Sequence, residues 1–160
     1  MNVKIEKILK KKNKSKIICL TSYSKNISEV LDRHTDIILV GDSLGSVLYS
    51  HNTTKKVTLK MIIEHSKSVR LGVKQSLMVV DMPYNSYKSK SEALKNAKQI
   101  IKYSKADAVK LEGGKKIIDI IEYLVKNKIS VMGHLGILPQ SQIGKFRYKG
   151  KTILERKNLV

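Results

Sequence analysis

The stretch Ile37-Ile38-Leu39-Val40-Gly41-Asp42-Ser43-Leu44-Gly45 decides how this chain is read. Its first four residues are apolar and three of them are β-branched, a run short enough to form a buried strand. The strand stops at a glycine, and a carboxylate and a hydroxyl follow at once. Two glycines let the backbone turn tightly and approach a ligand closely. Asp42 and Ser43 are therefore expected at the carboxyl end of a strand, where α/β folds build their sites. An ordinary turn with an Asx-type hydrogen bond uses the same residues, so the weight falls on whether later strands end the same way.

They do. Leu77-Met78-Val79-Val80 runs into Asp81-Met82-Pro83, and Asp107 to Leu111 runs into Glu112-Gly113-Gly114. Ile129 to Met132 runs into Gly133-His134-Leu135-Gly136, and upstream Ile17 to Leu20 runs into Thr21-Ser22-Tyr23. Apolar residues at helical spacing lie between the strands. Thr58 and the Ser89–Glu92 pair read as helix starts, and Gly72 as a helix end. Five alternations predict a parallel sheet with helical crossovers. Neither GxGxxG nor GxxxxGK[ST] occurs, so nucleotide folds built on those loops are disfavoured.

The carboxylates at 42, 81 and 112 are each about one βα unit apart, so they fall at equivalent ends of neighbouring strands. In a barrel they converge at one face. Lys110 lies two residues before Glu112 and shares its face of the strand. Three carboxylates without thiolates suit a hard divalent cation, with Mg²⁺ the usual choice. A strand-end acid can equally cap the next helix, and a histidine can simply satisfy a carbonyl. Three acids in register, in a chain with only 13 acidic residues, are harder to dismiss.

Composition sets the outer bounds. One hundred and sixty residues predict a single domain, with residues 1–15 a basic amphipathic helix and linker. The single Cys19 is expected to be a small core residue in a reducing cytoplasm. No apolar run approaches a membrane span or a signal-peptide core. The net charge of +19 raises the question of nucleic acid. The lysines are spread along the whole chain, however, and the run Lys10-Lys11-Lys12-Asn13-Lys14 has no interleaved aromatics for base stacking. A solvated lysine surface is the expectation.

Four motifs in order, Val40-Gly41-Asp42-Ser43-Leu44-Gly45, Asp81-Met82-Pro83, Val109-Lys110-Leu111-Glu112-Gly113-Gly114 and Gly133-His134-Leu135-Gly136-Ile137-Leu138-Pro139-Gln140-Ser141, together resemble the ketopantoate hydroxymethyltransferases. The resemblance runs from about Ile17 to about Gly150, loosely over Gln142 to Gly150. It implies a (β/α)8 TIM barrel, of which this chain holds about the first five βα units. It also implies Mg²⁺, and 5,10-methylenetetrahydrofolate as co-substrate. Residue by residue, Asp42, Asp81 and Glu112 match the metal site. Ser43 and Lys110 match residues that bind the 2-oxo acid, as Asp42 and Asp81 also do, and Tyr23 and His134 match further pocket residues. Where the family usually reads Tyr-Asp, this chain has Tyr23-Ser24.

A whole barrel needs roughly 250 residues, and the family's general-base glutamate lies on a later strand, beyond residue 160. The resemblance therefore implies a homo-oligomer for the full-length enzyme, and for this chain a complementing C-terminal fragment as partner and little activity alone. Two other readings stand beside it: an Mg²⁺-dependent 2-oxo-acid carbon–carbon lyase of the phosphoenolpyruvate-binding barrels, and a non-catalytic remnant or basic nucleic-acid-binding module.

Overall fold

Five strands follow one another across one sheet in chain order. The computed structural model describes residues 2–141, 147 and 149–159. Strands β1 (Cys19–Thr21), β2 (Ile37–Val40), β3 (Leu77–Asp81), β4 (Ala108–Glu112) and β5 (Val131–His134) pair in the order β1-β2-β3-β4-β5. Every pairing is parallel. A doubly wound sheet would reverse its order at a switch point, whereas a barrel adds each strand beside the last. The order here is that of the first five βα units of a (β/α)8 barrel. The helices are α1 (Val3–Lys11), α2 (Lys25–Leu31), α3 (Leu44–Tyr49), α4 (Leu59–Gly72), α5 (Lys90–Ser104), α6 (Ile118–Lys126) and α7 (Ile153–Leu159). None of the described helices is long and apolar enough to cross a membrane.

Alternation along the strands sorts the apolar residues into two cores. Ile38, Val40, Met78, Val80, Val109 and Leu111 face the crossover helices and pack with Ile62, Val69, Ala97, Ile100 and Leu124. The opposite, concave face carries Ile37, Leu77, Val79 and Ala108, and Ile5 and Ile8 of α1 pack against it. Helix α1 thus covers the amino-terminal end of the sheet. The lysine run is expected to be a linker, but helix α1 continues through Lys11, because its lysines have partners. Lys4 Nζ donates to the Ser76 carbonyl at 2.8 Å, and Lys11 Nζ pairs with Asp36 at 2.5 Å.

Acids tie this end together. The buried Asp32 accepts N–H bonds from Lys74, Gln75 and Ser76 at 2.8–2.9 Å, pinning the entry to β3. Asp36 accepts the Ile18 N–H, and Asp107 the Met78 N–H, each at 2.9 Å. Helices α2 and α4 touch at Gly72, where a Cβ would lie 2.3 Å from Ser28 Oγ and 2.5 Å from the Lys25 carbonyl.

The helix starts at Thr58 and Ser89 are found, each hydroxyl accepting from an N–H three residues on. Three expectations are corrected. Cys19 is exposed rather than core, because β1 is an edge strand paired on one side only. Strand β5 begins two residues late, since the Ile129 N–H is turned back to the Leu124 carbonyl. Residues after Ser43 form a short helix, α3, where a loop is expected.

Candidate active site

The concave face changes character along each strand. On β3 the inward row passes from Val79 to Asp81, and on β4 from Ala108 to Lys110 and Glu112. On β5 it passes from Met132 to His134. The register sets Asp81 beside Lys110 and Glu112 beside His134. Asp42 comes two residues after β2 ends. Its N–H donates to Asp81 Oδ2 at 3.0 Å, and Lys110 Nζ lies 2.7 Å from Asp81 Oδ1. Asp42, Asp81, Lys110, Glu112 and His134 therefore share one rim.

Ser43 and Tyr23 form a second group beside it. The Tyr23 hydroxyl lies 2.8 Å from Ser43 Oγ. A Cβ at Gly41 would lie 2.8 Å from Ser43 Oγ and 3.5 Å from Asp81 Oδ2, so a glycine here lets these groups close up. Tyr23 is held in turn by His65, whose Nδ1 donates to the Tyr23 carbonyl at 2.8 Å. A carbonyl can only accept, so Nδ1 carries the proton and a neutral ring accepts at Nε2 from the Tyr49 hydroxyl, 2.9 Å away. His65 and Tyr49 are not evident in the sequence, because nothing local connects them to Tyr23.

Gln140 is the other residue that the sequence hides. Its motif is visible, yet its role depends on a loop returning across the sheet. The side-chain amide donates to Asp42 Oδ2 at 2.8 Å and to the Met82 carbonyl at 3.0 Å. Its backbone N–H donates to Glu112 Oε1 at 2.5 Å, and its side-chain oxygen accepts from the Tyr87 hydroxyl, also at 2.5 Å. Gln140 thus stands between Asp42 and Glu112. His134 Nδ1 lies 3.3 Å from Glu112 Oε2 without hydrogen-bond geometry. The loosely matching stretch Gln142 to Gly150 lies largely outside the described residues.

Charge is out of balance at this rim. Among the described residues, three buried carboxylates face one lysine. Burial, and then the neighbouring Asp81 carboxylate, pushes Asp42 up to about 6. Burial and the Glu112 charge push the Tyr87 phenol well above its ordinary value, so it serves as a donor. Among the described residues, no three His, Cys, Asp or Glu side chains form a ready ligand shell. Asp42 and Asp81 are direct neighbours, and Glu112 is set apart by Gln140. Two adjacent carboxylates with surplus negative charge are a donor set that fits Mg²⁺, which takes one or two carboxylates and completes its shell with water and substrate oxygens.

A family model described as ketopantoate hydroxymethyltransferase matches residues 2–160. The chain belongs to this family. A 3-methyl-2-oxobutanoate hydroxymethyltransferase of Pelagibacter ubique is 68% identical over 98% of this chain and 61% of its own length. That of Phenylobacterium zucineum is 44% identical over 96% of this chain and 57% of its own. The chain therefore spans about 60% of the length of these curated relatives. Solved structures share the fold at low identity. A 2,3-dimethylmalate lyase of the PEP mutase/isocitrate lyase superfamily aligns with TM-score 0.60 and 12% identity, covering 83% of this chain and 53% of the lyase. Phosphonopyruvate hydrolase, solved with oxalate and Mg²⁺, aligns with TM-score 0.56 and 9% identity over 70% of this chain and 39% of its own.

Proposed function

We propose that this chain carries the metal and 2-oxo-acid half of a ketopantoate hydroxymethyltransferase site. The reaction moves a hydroxymethyl group from 5,10-methylenetetrahydrofolate to 3-methyl-2-oxobutanoate, giving 2-dehydropantoate for pantothenate synthesis in the cytoplasm. The observation that carries this reading is the hydrogen-bonded group of Asp42, Asp81 and Lys110 at one rim, in a chain of this family.

Asp42 and Asp81 would hold Mg²⁺, with Glu112 adding negative charge at its flank. Bound there, the ion supplies Lewis acidity to the carboxylate and ketone oxygens of a 2-oxo acid. Lys110 places a positive charge beside the oxygen that gains charge when the C3 proton leaves. Ser43 and Tyr23 offer hydroxyls to the substrate carboxylate, and His134 closes the rim beside Glu112. Gln140 orients Asp42 and Glu112. Glu112 already accepts from Gln140, so it is a poor candidate to take the C3 proton. That base would lie on a later strand, supplied by a further polypeptide segment or a complementing fragment within a homo-oligomer. Residues 1–160 would then act as one partial barrel domain.

General-base catalysis typically contributes about 10²–10⁴-fold, so the 160-residue chain alone should form 2-dehydropantoate at least about 100-fold more slowly than the Pelagibacter relative. Adding the remaining strands of that relative should restore turnover. Near-normal turnover by this chain alone would overturn the assignment of the base. Calorimetry with Mn²⁺ tests the metal pair: Asp81→Ala should lose binding, and unchanged affinity would remove Asp81 from the site.

A further inference from the structure

Tyr23 and Ser43 follow different strands, yet their hydroxyls meet at 2.8 Å. The middle of α4 supports this pair from behind. Three of its residues grip the segment from Tyr23 to Ser28. His65 Nδ1 donates to the Tyr23 carbonyl at 2.8 Å, Ser68 Oγ accepts the Lys25 N–H at 3.1 Å, and the Val69 carbonyl accepts the Ser28 hydroxyl at 3.0 Å. Spacings of three and four residues set positions 65, 68 and 69 on one face of the helix.

His65 also reaches α3. Its Nε2 accepts from the exposed Tyr49 hydroxyl at 2.9 Å, and the two rings meet edge to face at 86°. Tyr49 is the last residue of α3, and Ser43 is the residue before its first. The contacts therefore close a circuit: from Ser43 along the six residues of α3 to Tyr49, across to His65, on to Tyr23 and back to Ser43. A helix of this length is a strut of about 9 Å. Its far end stops sharply at Ser50, with φ +53°, where the His51 N–H returns to the Gly45 carbonyl.

We infer that His65 is a positioning residue: by joining the Tyr23 backbone to the end of α3 it sets the spacing of the Tyr23 and Ser43 hydroxyls, the pair that faces the carboxylate of the oxo acid. The inference rests on the function proposed above, which makes those hydroxyls a binding pair. Two hydroxyls bonded to each other use one of their two protons and keep one to donate outward. A carboxylate receives that proton well only where the pair is already closed, because each group that must first be ordered costs affinity. The circuit does this ordering before the substrate arrives.

The experiment measures 3-methyl-2-oxobutanoate binding to the Mn²⁺-loaded 160-residue chain by calorimetry, and the Tyr23 ring resonances of the same chain carrying isotope-labelled tyrosine. His65→Leu removes both contacts. It should weaken the oxo acid about tenfold, leave Mn²⁺ affinity unchanged and move the Tyr23 resonances as Ser43→Ala does. His65→Asn is the conservative variant, because its amide nitrogen takes the place of Nδ1 and still donates to the Tyr23 carbonyl. It should restore most of the affinity and the wild-type resonances, which a loss of packing alone would not allow. Tyr49→Phe keeps the ring and should weaken binding about threefold, so the test stays decisive should circular dichroism show that His65→Leu does not fold. Unchanged affinity in a folded His65→Leu or in Tyr49→Phe would overturn the proposal, as would a loss that His65→Asn does not restore, or nitrogen NMR placing the His65 proton on Nε2. If the wild-type chain binds Mn²⁺ but no oxo acid, the substrate reading falls, and the tyrosine spectrum decides the positioning role: a Tyr23 shift in His65→Leu that His65→Asn reverses supports it, and unmoved resonances overturn it.

Discussion

The two ends of the sheet use the same residue type in opposite ways. At the amino-terminal end, Asp32, Asp36 and Asp107 accept backbone N–H groups, and two of them face lysine or arginine: Lys11 on Asp36, and Arg70 and Lys4 on Asp107. At the carboxyl-terminal end, Asp42, Asp81 and Glu112 are all buried, as only Asp32 is at the other end, and among the described residues they share a single lysine. The titration behaviour follows. Burial tends to raise Asp32, yet three backbone N–H donors outweigh it and hold the group below its ordinary value of 3.8. The Lys11 hydrogen bond, with the Ile18 N–H, holds Asp36 below the same value. Asp42 moves the other way, to about 6. One end spends its acids on stability, and the other stores charge that folding alone does not neutralise.

That contrast can be broken from either side. The largest effect is expected from Asp32→Ala, which strands three N–H groups at a buried loop. Urea unfolding should show a loss of about 3 kcal/mol. A loss below about 1 kcal/mol would mean that the loop finds other acceptors.

Asp42→Asn should do the reverse. Without divalent cations at pH 7 it should stabilise the chain by about 2 kcal/mol, because it removes a charge that folding disfavours. Mg²⁺ should raise the Tm of the wild type and leave the variant where it is. Destabilisation by this substitution would show that Gln140 already compensates the charge in full.

The pH dependence separates the ends further. Between about pH 4 and 6 the folded chain holds a proton on Asp42 that the unfolded chain has lost. Stability from this group therefore falls as pH rises through that window. Asp32 and Asp36, with lowered values, contribute stability that is present above about pH 4 and is lost as pH falls through their folded values. Comparing wild type with Asp42→Asn across pH 4–7 isolates the first slope, and the variant should lack it. The smallest effect is Asp36→Ala, about 1 kcal/mol, since its pair with Lys11 is partly exposed. A high-salt measurement should reduce the difference.

Much of this was legible from local pattern. Strand-end acids at 42, 81 and 112 follow from apolar runs that stop at polar residues, and the order of the strands follows from five repeats of one unit. What the sequence concealed depends on distance or on edges. Gln140 meets Asp42 across 98 residues, and His65 reaches Tyr23 across 42. No periodicity marks either. Cys19 sits in an apolar run that a second neighbouring strand would have covered. The lysine run looked like solvated chain because Asp36, the partner of Lys11, is remote in sequence.

The strand order has a consequence for synthesis. Each strand pairs with the one made just before it, so a chain leaving the ribosome meets its docking edge already built. Helix α1, made before any of these strands, must wait longer, because its contacts at Ser76 and Asp107 come from units made much later. Growth of this sheet is a vectorial process in which helix α1 closes the base only once β4 has been reached.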